Sequence, residues 1–541
     1  MNRKKSKRCI IITAIKKNAV IPDQLVKKLA GITLIQRALN TAKVLLHDSD
    51  IYVVTDSDEI SLICHRNNVN CHYERDLRIS SANILKELKF YIEKLADNYK
   101  HIILYRAAAP LVDHIDIQQG YELFIKKDAD ILVTLRREEH CIWKEANGHP
   151  DYLIYNEETD PVLIEIKSFL VIKSDILKSS NDQYTIVPYY LDDKAIEIKG
   201  YQDWWICEKL LKQKRILFVV AGFPAIGLGH VYRALTLAHE ITDHNIQFLC
   251  TKESELAVKR IAERDYSTVL QSSPELYEDV LKLKPDMVIN DMLNTEYRYI
   301  KALKDRDIKV VNFEDSGKGA DRADLVINAL YPPNKALPEK YLYGHDYFCL
   351  RDEFDEVEKR HFSKTVKNLL ITFGGTDPNN FTLQTLETVL DICKQRGIQL
   401  YIVTGPGYAY KENLSAYLKT IDYDTIEYIH QTGIMSSIME RVDLAISSAG
   451  RTVYELAHMR IPAIIMSQHD REETHAFARP ENGFEYIGLM NPFRSDRLTD
   501  SLKKLLDTQH RKNLYEKMRS FHLERNKKRV IKKILSLLEE E

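Results

Sequence analysis

Three stretches place glycines and small residues directly after an apolar run, each with a polar or titratable side chain close by. The first is Gly222-Phe-Pro-Ala-Ile-Gly-Leu-Gly-His230. Gly227 and Gly229 allow positive φ and close backbone approach to a ligand. The helix expected next offers free N–H groups and the positive end of its dipole to an anion. His230 at that helix start can serve as general base or acid; a tight turn with a capping histidine needs the same residues. The second stretch is Phe373-Gly374-Gly375-Thr376-Asp377-Pro378. Its glycine pair permits phosphate approach, and Asp377 or Asn379 can cap the following helix. A plain turn plus cap explains it as well. The third is Ser447-Ser448-Ala449-Gly450-Arg451-Thr452-Val453-Tyr454-Glu455. Backbone N–H groups at Ser448, Ala449 and Gly450 suit a diphosphate. Glu455, one turn into a helix that begins near Thr452, can accept both hydroxyls of a ribose. Thr452 and Glu455 also have the spacing of a capping box.

The elements that must hold these loops follow from the apolar pattern. Short β-branched runs alternate with amphipathic helical stretches over nearly the whole chain, the α/β pattern of parallel sheets covered by helices. Strands are expected at Cys9–Ala14, Ile51–Thr55, His101–Tyr105 and Ile131–Thr134, with helices at Leu34–Leu46 and Ile84–Leu95. A closing helix over Trp204–Lys214 runs into the charged stretch KLLKQKR, and a new strand begins at Ile216–Ala221. Further strands are expected at Asn368–Phe373, Leu400–Val403, Leu444–Ser447 and Ala463–Met466. Three domains result: 1–212, 215–365 and 366–541, with the polar stretch Arg351–Lys367 as connection. The tail carries Leu514, Met518, Phe521, Ile531, Ile534, Leu535 and Leu538 at helical spacing. All three glycine loops then lie beyond the carboxyl ends of strands in two successive α/β lobes, where open sheets bind ligands.

Composition narrows the class. Of 541 residues, 44% are hydrophobic and 29% charged, with net charge −2, so no bulk charge argues for nucleic acid or an anionic membrane. No stretch approaches the roughly 20 apolar residues of a membrane span. The basic start MNRKKSKR is followed by an apolar run too short for a signal peptide. Eight cysteines without CxxC pairs suggest neither zinc nor a disulfide framework. A reducing cytoplasm is the expected location.

Residues 216–500 resemble the UDP-sugar hydrolase of the pseudaminic acid pathway and its spore-coat polysaccharide relatives. More distantly they resemble the glycosyltransferase that adds N-acetylglucosamine to the lipid-linked peptidoglycan precursor. GLGHVYRALTLA (227–238), ITFGGTDPNNFT (371–382) and SSAGRTVYELAHMRIPAI (447–464) carry the likeness. The resemblance implies a two-lobed GT-B-type module with His230 as the histidine that activates water or an acceptor. It implies that Gly374–Thr376, Ser448–Gly450, Thr452 and Glu455 hold uridine diphosphate, and that the C-terminal helix crosses back onto the first lobe. No metal or other cofactor is implied. Those hydrolases carry an Asp-His-Tyr-like motif after a first-lobe strand. Here the stretch reads Asn290-Asp291-Met292-Leu293-Asn294-Thr295, which keeps Asp291 as a catalytic candidate but lacks the aromatic hydroxyl. In Asn312-Phe313-Glu314-Asp315-Ser316-Gly317, two carboxylates follow another strand; Glu314 is the further catalytic candidate, and a polar turn is the alternative.

Residues 8–212 resemble the cytidylyltransferases that activate sialic, legionaminic and related acids, a nucleotidyltransferase-like (GT-A/Rossmann-like) fold. LAG (29–31), TLIQRAL (33–39), VVTDSDEI (53–60), YRAAAPL (105–111) and EIKGYQDWW (197–205) carry that likeness. The chemical residues agree less well. The family's glycine-rich triphosphate loop reads Ala14-Ile15-Lys16-Lys17-Asn18-Ala19-Val20 here, without glycine. The family's asparagine falls on Leu25, its glutamine on Arg106, and its metal-binding aspartate pair on Glu197 and Lys199. Asp56, Pro110 and Asp203 are retained. Mg²⁺ is implied only if this domain is active.

The expectation is an enzyme of prokaryotic surface-glycan (nonulosonic-acid-type) biosynthesis whose second part binds a UDP-sugar, with a CMP-sugar as the other nucleotide option. It would hydrolyse that sugar or transfer it to a sugar or lipid acceptor. The first domain would be degenerate, serving as scaffold, dimer interface or sugar binder. Alternatives are a bifunctional enzyme with a working CMP-sugar synthetase domain, and a non-catalytic sugar-nucleotide-binding assembly protein.

Overall fold

The computed structural model describes residues 6–17, 21–75, 77, 84–138, 142–146, 149–154, 162–178, 184–223, 226–332 and 337–539. The chain divides into two compact units, Met1–Gln213 and Lys214–Glu541.

The first unit holds a seven-stranded sheet. From edge to edge its strands are Ile186–Tyr190, Ile131–Glu138, Val162–Lys173, Tyr99–Arg106, Ser6–Ala14, Ile51–Thr55 and Asn70–Tyr73. Most of its pairings are parallel, as the α/β pattern implies, but Val162–Lys173 runs antiparallel to both neighbours. Glu165 and Lys167 interrupt its apolar run, and the register shifts between Glu165 and Leu170, so no clean period marks it in the sequence. The helices Leu34–Leu45 and Ile84–Ala96 stand where the pattern puts them.

The second unit has two lobes. In the first, seven parallel strands take the order Thr268–Leu270, Asn245–Cys250, Arg215–Val220, Met287–Asp291, Lys309–Phe313, Leu325–Asn328, Tyr341–Tyr343. In the second, six parallel strands take the order Ile426–His430, Gln399–Thr404, Asn368–Thr372, Leu444–Ser448, Ala463–Ser467, Phe484–Leu489. Each lobe begins at its central strand, winds outward, then reverses to the other side of that strand. The reversal leaves a crevice at the carboxyl ends of the central pair. Runs such as Ile216–Val220 and Ala463–Ser467 are buried throughout, as parallel strands covered on both faces must be.

The tail ties the lobes together. Helix Thr508–Met518 lies on the second lobe, where Leu514 and Met518 join its core clusters. Helix Asn526–Glu539 then crosses back, and Val530 and Ile534 sink into the first-lobe core beside Ile216 and Phe218. Asp352, Asp355 and Glu240 bring carboxylate oxygens within 4.8 Å of one another, a spacing that a cation fits. The buried ammonium of Lys527 sits among them, at 2.8, 2.7 and 2.9 Å.

Candidate functional site

Between the lobes lies a cavity of about 430 Å³ lined by all three glycine loops. Of the sequence candidates, Gly227, Gly229, His230, Glu314, Gly374, Gly375, Thr376, Ser448, Gly450, Thr452 and Glu455 line it. Ala449 is buried just behind, and its carbonyl accepts a hydrogen bond from His475 Nδ1 at 2.6 Å. Pro224 and Ala225 of the first loop, and Asn18–Val20 of the first unit, lie outside the described residues.

His230 opens helix Gly229–Glu240, and Gly227 just before it adopts φ +74°, which glycine accepts without strain. One helical turn past His230 stands Arg233, and the two side chains share a face. Both meet Asp291, the last residue of strand Met287–Asp291. His230 Nδ1 lies 2.6 Å from Asp291 Oδ1, while Arg233 binds the same carboxylate with Nε at 2.7 Å and Nη2 at 2.6 Å. Burial pushes the Asp291 carboxyl up, but Arg233 and His230 outweigh it and hold its pKa at about 2. An ionised carboxylate only accepts, so Nδ1 is the donor in this contact, and Nε2 is the ring nitrogen left uncommitted by it. Asp291 therefore stands behind His230 as its orienting partner rather than as a second acid.

Arg233 also donates Nη1 to Glu314 Oε1 at 2.9 Å. Burial raises the Glu314 pKa, and its Oε2 is buried without a partner. Glu314 holds φ +51°, and Leu293, which also lines the cavity, φ +75°. With Gln431 at φ +60°, three non-glycine residues of the cavity wall sit in the left-handed region, strain of the kind that gathers at functional sites. The neighbouring Asp315 does not serve the cavity. It accepts from Thr295 N and Oγ1, Asn312 Nδ2 and Gly317 N, and so builds the loop.

The second loop is held by Asp377, which accepts from the N–H groups of Phe381 and Thr382 at 2.8 Å each and so caps helix Phe381–Arg396. Asn379 instead donates to the Gln468 carbonyl at 2.9 Å. At the third loop no capping box forms: helix Thr452–Met459 has no side-chain cap. Glu455 pairs instead with Arg351 Nε at 2.8 Å, and Arg351 Nη1 reaches Glu353 at 2.6 Å. A carboxylate is thus fixed at the cavity wall.

A fourth segment, after strand Ala463–Ser467, was not anticipated. Gln468, His469, Arg471, Glu472 and His475 from it line the cavity. Gln468 Oε1 and His475 Nε2 are buried without partners. Burial lowers the His475 pKa to about 4. Burial pushes the Glu472 carboxyl up to about 7, although it accepts from Gln468 N at 2.8 Å. The folded pKa exceeds the unfolded one, so the stability of this group is fully present below pH about 4 and is lost as pH rises to about 7. Glu472→Gln is expected to stabilise the protein at pH 8 by on the order of 3 kcal/mol and to be neutral at pH 4. Urea denaturation at the two pH values checks this; equal differences at both would refute it.

In the first unit, the main-chain N–H groups of Lys16 and Lys17 donate to Asp56 at 2.6 and 3.3 Å. The Lys16 ammonium is engaged by Glu59 and Asp23 at 2.7 and 3.1 Å. Leu25 is buried in the core. Asp203 accepts from the N–H groups of Lys199 and Gly200 at the start of helix Tyr201–Lys212. Arg106 Nη1 forms an ion pair with Glu197 Oε1 at 2.7 Å, and Lys199 stands 3.9 Å from the other oxygen. Two cations on one carboxylate are a poor donor set for Mg²⁺.

Two doubly wound parallel lobes facing each other across a cavity, with glycine loops from both, define a GT-B-type α/β module. Residues 369–534 match the family model described as the glycosyltransferase family 28 C-terminal domain. An uncharacterized protein of Methanocaldococcus jannaschii is 32% identical over 276 residues, 47% of this chain. The chain spans only 56% of the length of that relative. The spore coat polysaccharide biosynthesis protein SpsG of Bacillus subtilis is 25% identical over 283 residues, 49% of this chain and 81% of that protein. Among solved structures, Acinetobacter baumannii MurG aligns with 16% identity and a TM-score of 0.44, covering 60% of this chain and 99% of that one. Among the described residues no helix is long and apolar enough to cross a membrane.

Proposed function

We propose that the second unit binds a nucleotide-sugar, of UDP type, and transfers its glycosyl group to a hydroxyl during glycan assembly. The observation that carries this reading is the His230–Asp291 pair at 2.6 Å, set in the same cavity as the three glycine loops. The match to a glycosyltransferase domain and the polysaccharide-biosynthesis name of the Bacillus subtilis relative support the same reading.

His230 Nε2 takes the proton of the attacking hydroxyl as its oxygen bonds to the anomeric carbon. The bond from that carbon to the phosphate oxygen breaks, and its electron pair leaves with the diphosphate. The main-chain N–H groups of the second and third loops receive the diphosphate. Glu455, held by Arg351, accepts the ribose hydroxyls. Water in place of the hydroxyl would make the same site hydrolytic, and product analysis separates the two.

The first unit, on this reading, does not transfer cytidylyl groups, because the two positions that the resemblance gives to metal-binding aspartates hold Glu197, paired with Arg106, and the cation Lys199. The test is calorimetric titration of the whole chain and of Glu455→Ala with UDP and with CTP plus Mg²⁺. UDP should bind the wild type and bind the variant about 10–100-fold more weakly, from the loss of a charged hydrogen-bond acceptor. CTP should neither bind nor release pyrophosphate. Tight CTP binding that survives Glu455→Ala would make cytidylyl transfer the leading activity instead.

A further inference from the structure

Four arginines line the cavity: Arg233, Arg351, Arg451 and Arg471. Arg233 is spanned by Asp291 and Glu314, and Arg351 by Glu353 and Glu455. Arg471 is exposed and donates Nε to the Tyr331 hydroxyl at 3.0 Å. Arg451 differs from all three. Among the described residues no carboxylate forms an ion pair with it, and its Nη1 is buried without a partner. Its guanidinium lies over the Phe348 ring at 4.7 Å. Phe348 stacks on Tyr454 at 3.9 Å, and Tyr454 on Phe477 at 4.4 Å. A pile of three rings therefore positions the group, where carboxylates hold Arg233 and Arg351.

The backbone makes the placement more costly still. Arg451 stands at the N-cap of helix Thr452–Met459. A cation there faces the positive end of the helix dipole, which disfavours it. Burial first, and the nearby Arg233 second, bring its pKa down to about 10 against the opposing pull of Asp291 and Glu314. The molecule also makes room for it: a Cβ at Gly229 would come within 3.0 Å of Arg451 Cδ, so the glycine of the first lobe lets this side chain reach across. An unpaired buried guanidinium costs free energy unless something anionic completes it. The helix N-terminus and the guanidinium together ask for one ligand, a phosphate.

We propose that Arg451 binds the terminal phosphate of a nucleoside diphosphate and neutralises it as it departs from the sugar. This rests on the reading of the cavity as a nucleotide-sugar site and adds a side-chain cation to the main-chain donors. As the anomeric bond breaks, negative charge grows on the phosphate oxygen, and the fixed guanidinium stabilises it without reorganising.

The experiment compares UDP and uridine binding to wild-type protein, Arg451→Gln and Arg451→Lys by calorimetry. Arg451→Gln should lose roughly 10–100-fold in UDP affinity and none in uridine affinity. Arg451→Lys should recover part of the loss. Retained uridine binding shows that the variant is folded. Equal UDP affinity in Arg451→Gln and wild type overturns the proposal alone. Failure of the wild type to bind either compound overturns the donor-site reading, and this proposal falls with it. Wild-type UDP binding no tighter than uridine binding also refutes a phosphate contact at Arg451.

Discussion

Replacing His230 by alanine is expected to lower turnover of the nucleotide-sugar by about 10²–10⁴-fold, the usual contribution of a positioned general base. UDP affinity should stay the same, because the nucleotide contacts proposed above come from the second lobe. The prediction follows from geometry. His230 Nδ1 is committed to Asp291 at 2.6 Å, so Nε2 is the basic nitrogen at the cavity. Loss of kcat with unchanged affinity separates a proton-transfer role from a binding role. A variant that turns over normally would move the base elsewhere, with Glu314 next to consider because its Oε2 is buried and unpaired.

The largest stability effect should come from Arg233. Among the described residues this fully buried guanidinium is the only hydrogen-bond partner of Glu314 Oε1, and it is the main counter-charge of Asp291. Arg233→Met would leave two carboxylates buried without it, at a cost of about 3–5 kcal/mol. In the wild type, Asp291 has a folded pKa below its unfolded one. Its stabilisation is present above pH about 4 and is lost as pH falls towards 2. Without Arg233, burial is opposed only by His230 at Asp291 and by Arg451 and His230 at Glu314, and the folded pKa values of both carboxyls rise. The deficit of the variant should then be largest at neutral pH and shrink on acidification. Urea denaturation at pH 7.5 and 5 tests this; a deficit that grows with acid would contradict it.

The two lobes of the second unit were legible because their strands are continuous apolar runs. Asn368–Thr372, Leu444–Ser448 and Ala463–Ser467 differ from the expected spans by a residue at most. The glycine loops were legible as a set: each alone fits a plain turn, but all three fall beyond the carboxyl ends of strands in two successive lobes. The cavity's charges were not. Arg233 sits three residues past His230 and could have been read as a partner on the same helix face, but nothing in the sequence pairs it with Asp291 and Glu314. Glu472 and His475 follow a strand without any glycine signature. Thr452 and Glu455 match a capping box in sequence, yet Arg351, over a hundred positions away, claims the carboxylate. The antiparallel strand Val162–Lys173 was hidden for a related reason: sheet pairing, not local pattern, decides its direction.

The tail has a mechanical consequence. The chain passes between the lobes twice, once after Tyr343 and again after Met518, and the Lys527 ammonium rivets the second passage to Asp352 and Asp355 of the first. Two pins set side by side make a door hinge rather than a swivel. The lobes keep one axis of rotation and lose the freedom to twist about the connection. A hinge of that kind would bring the glycine loops of the two lobes back to one register, with Gly229 against Arg451.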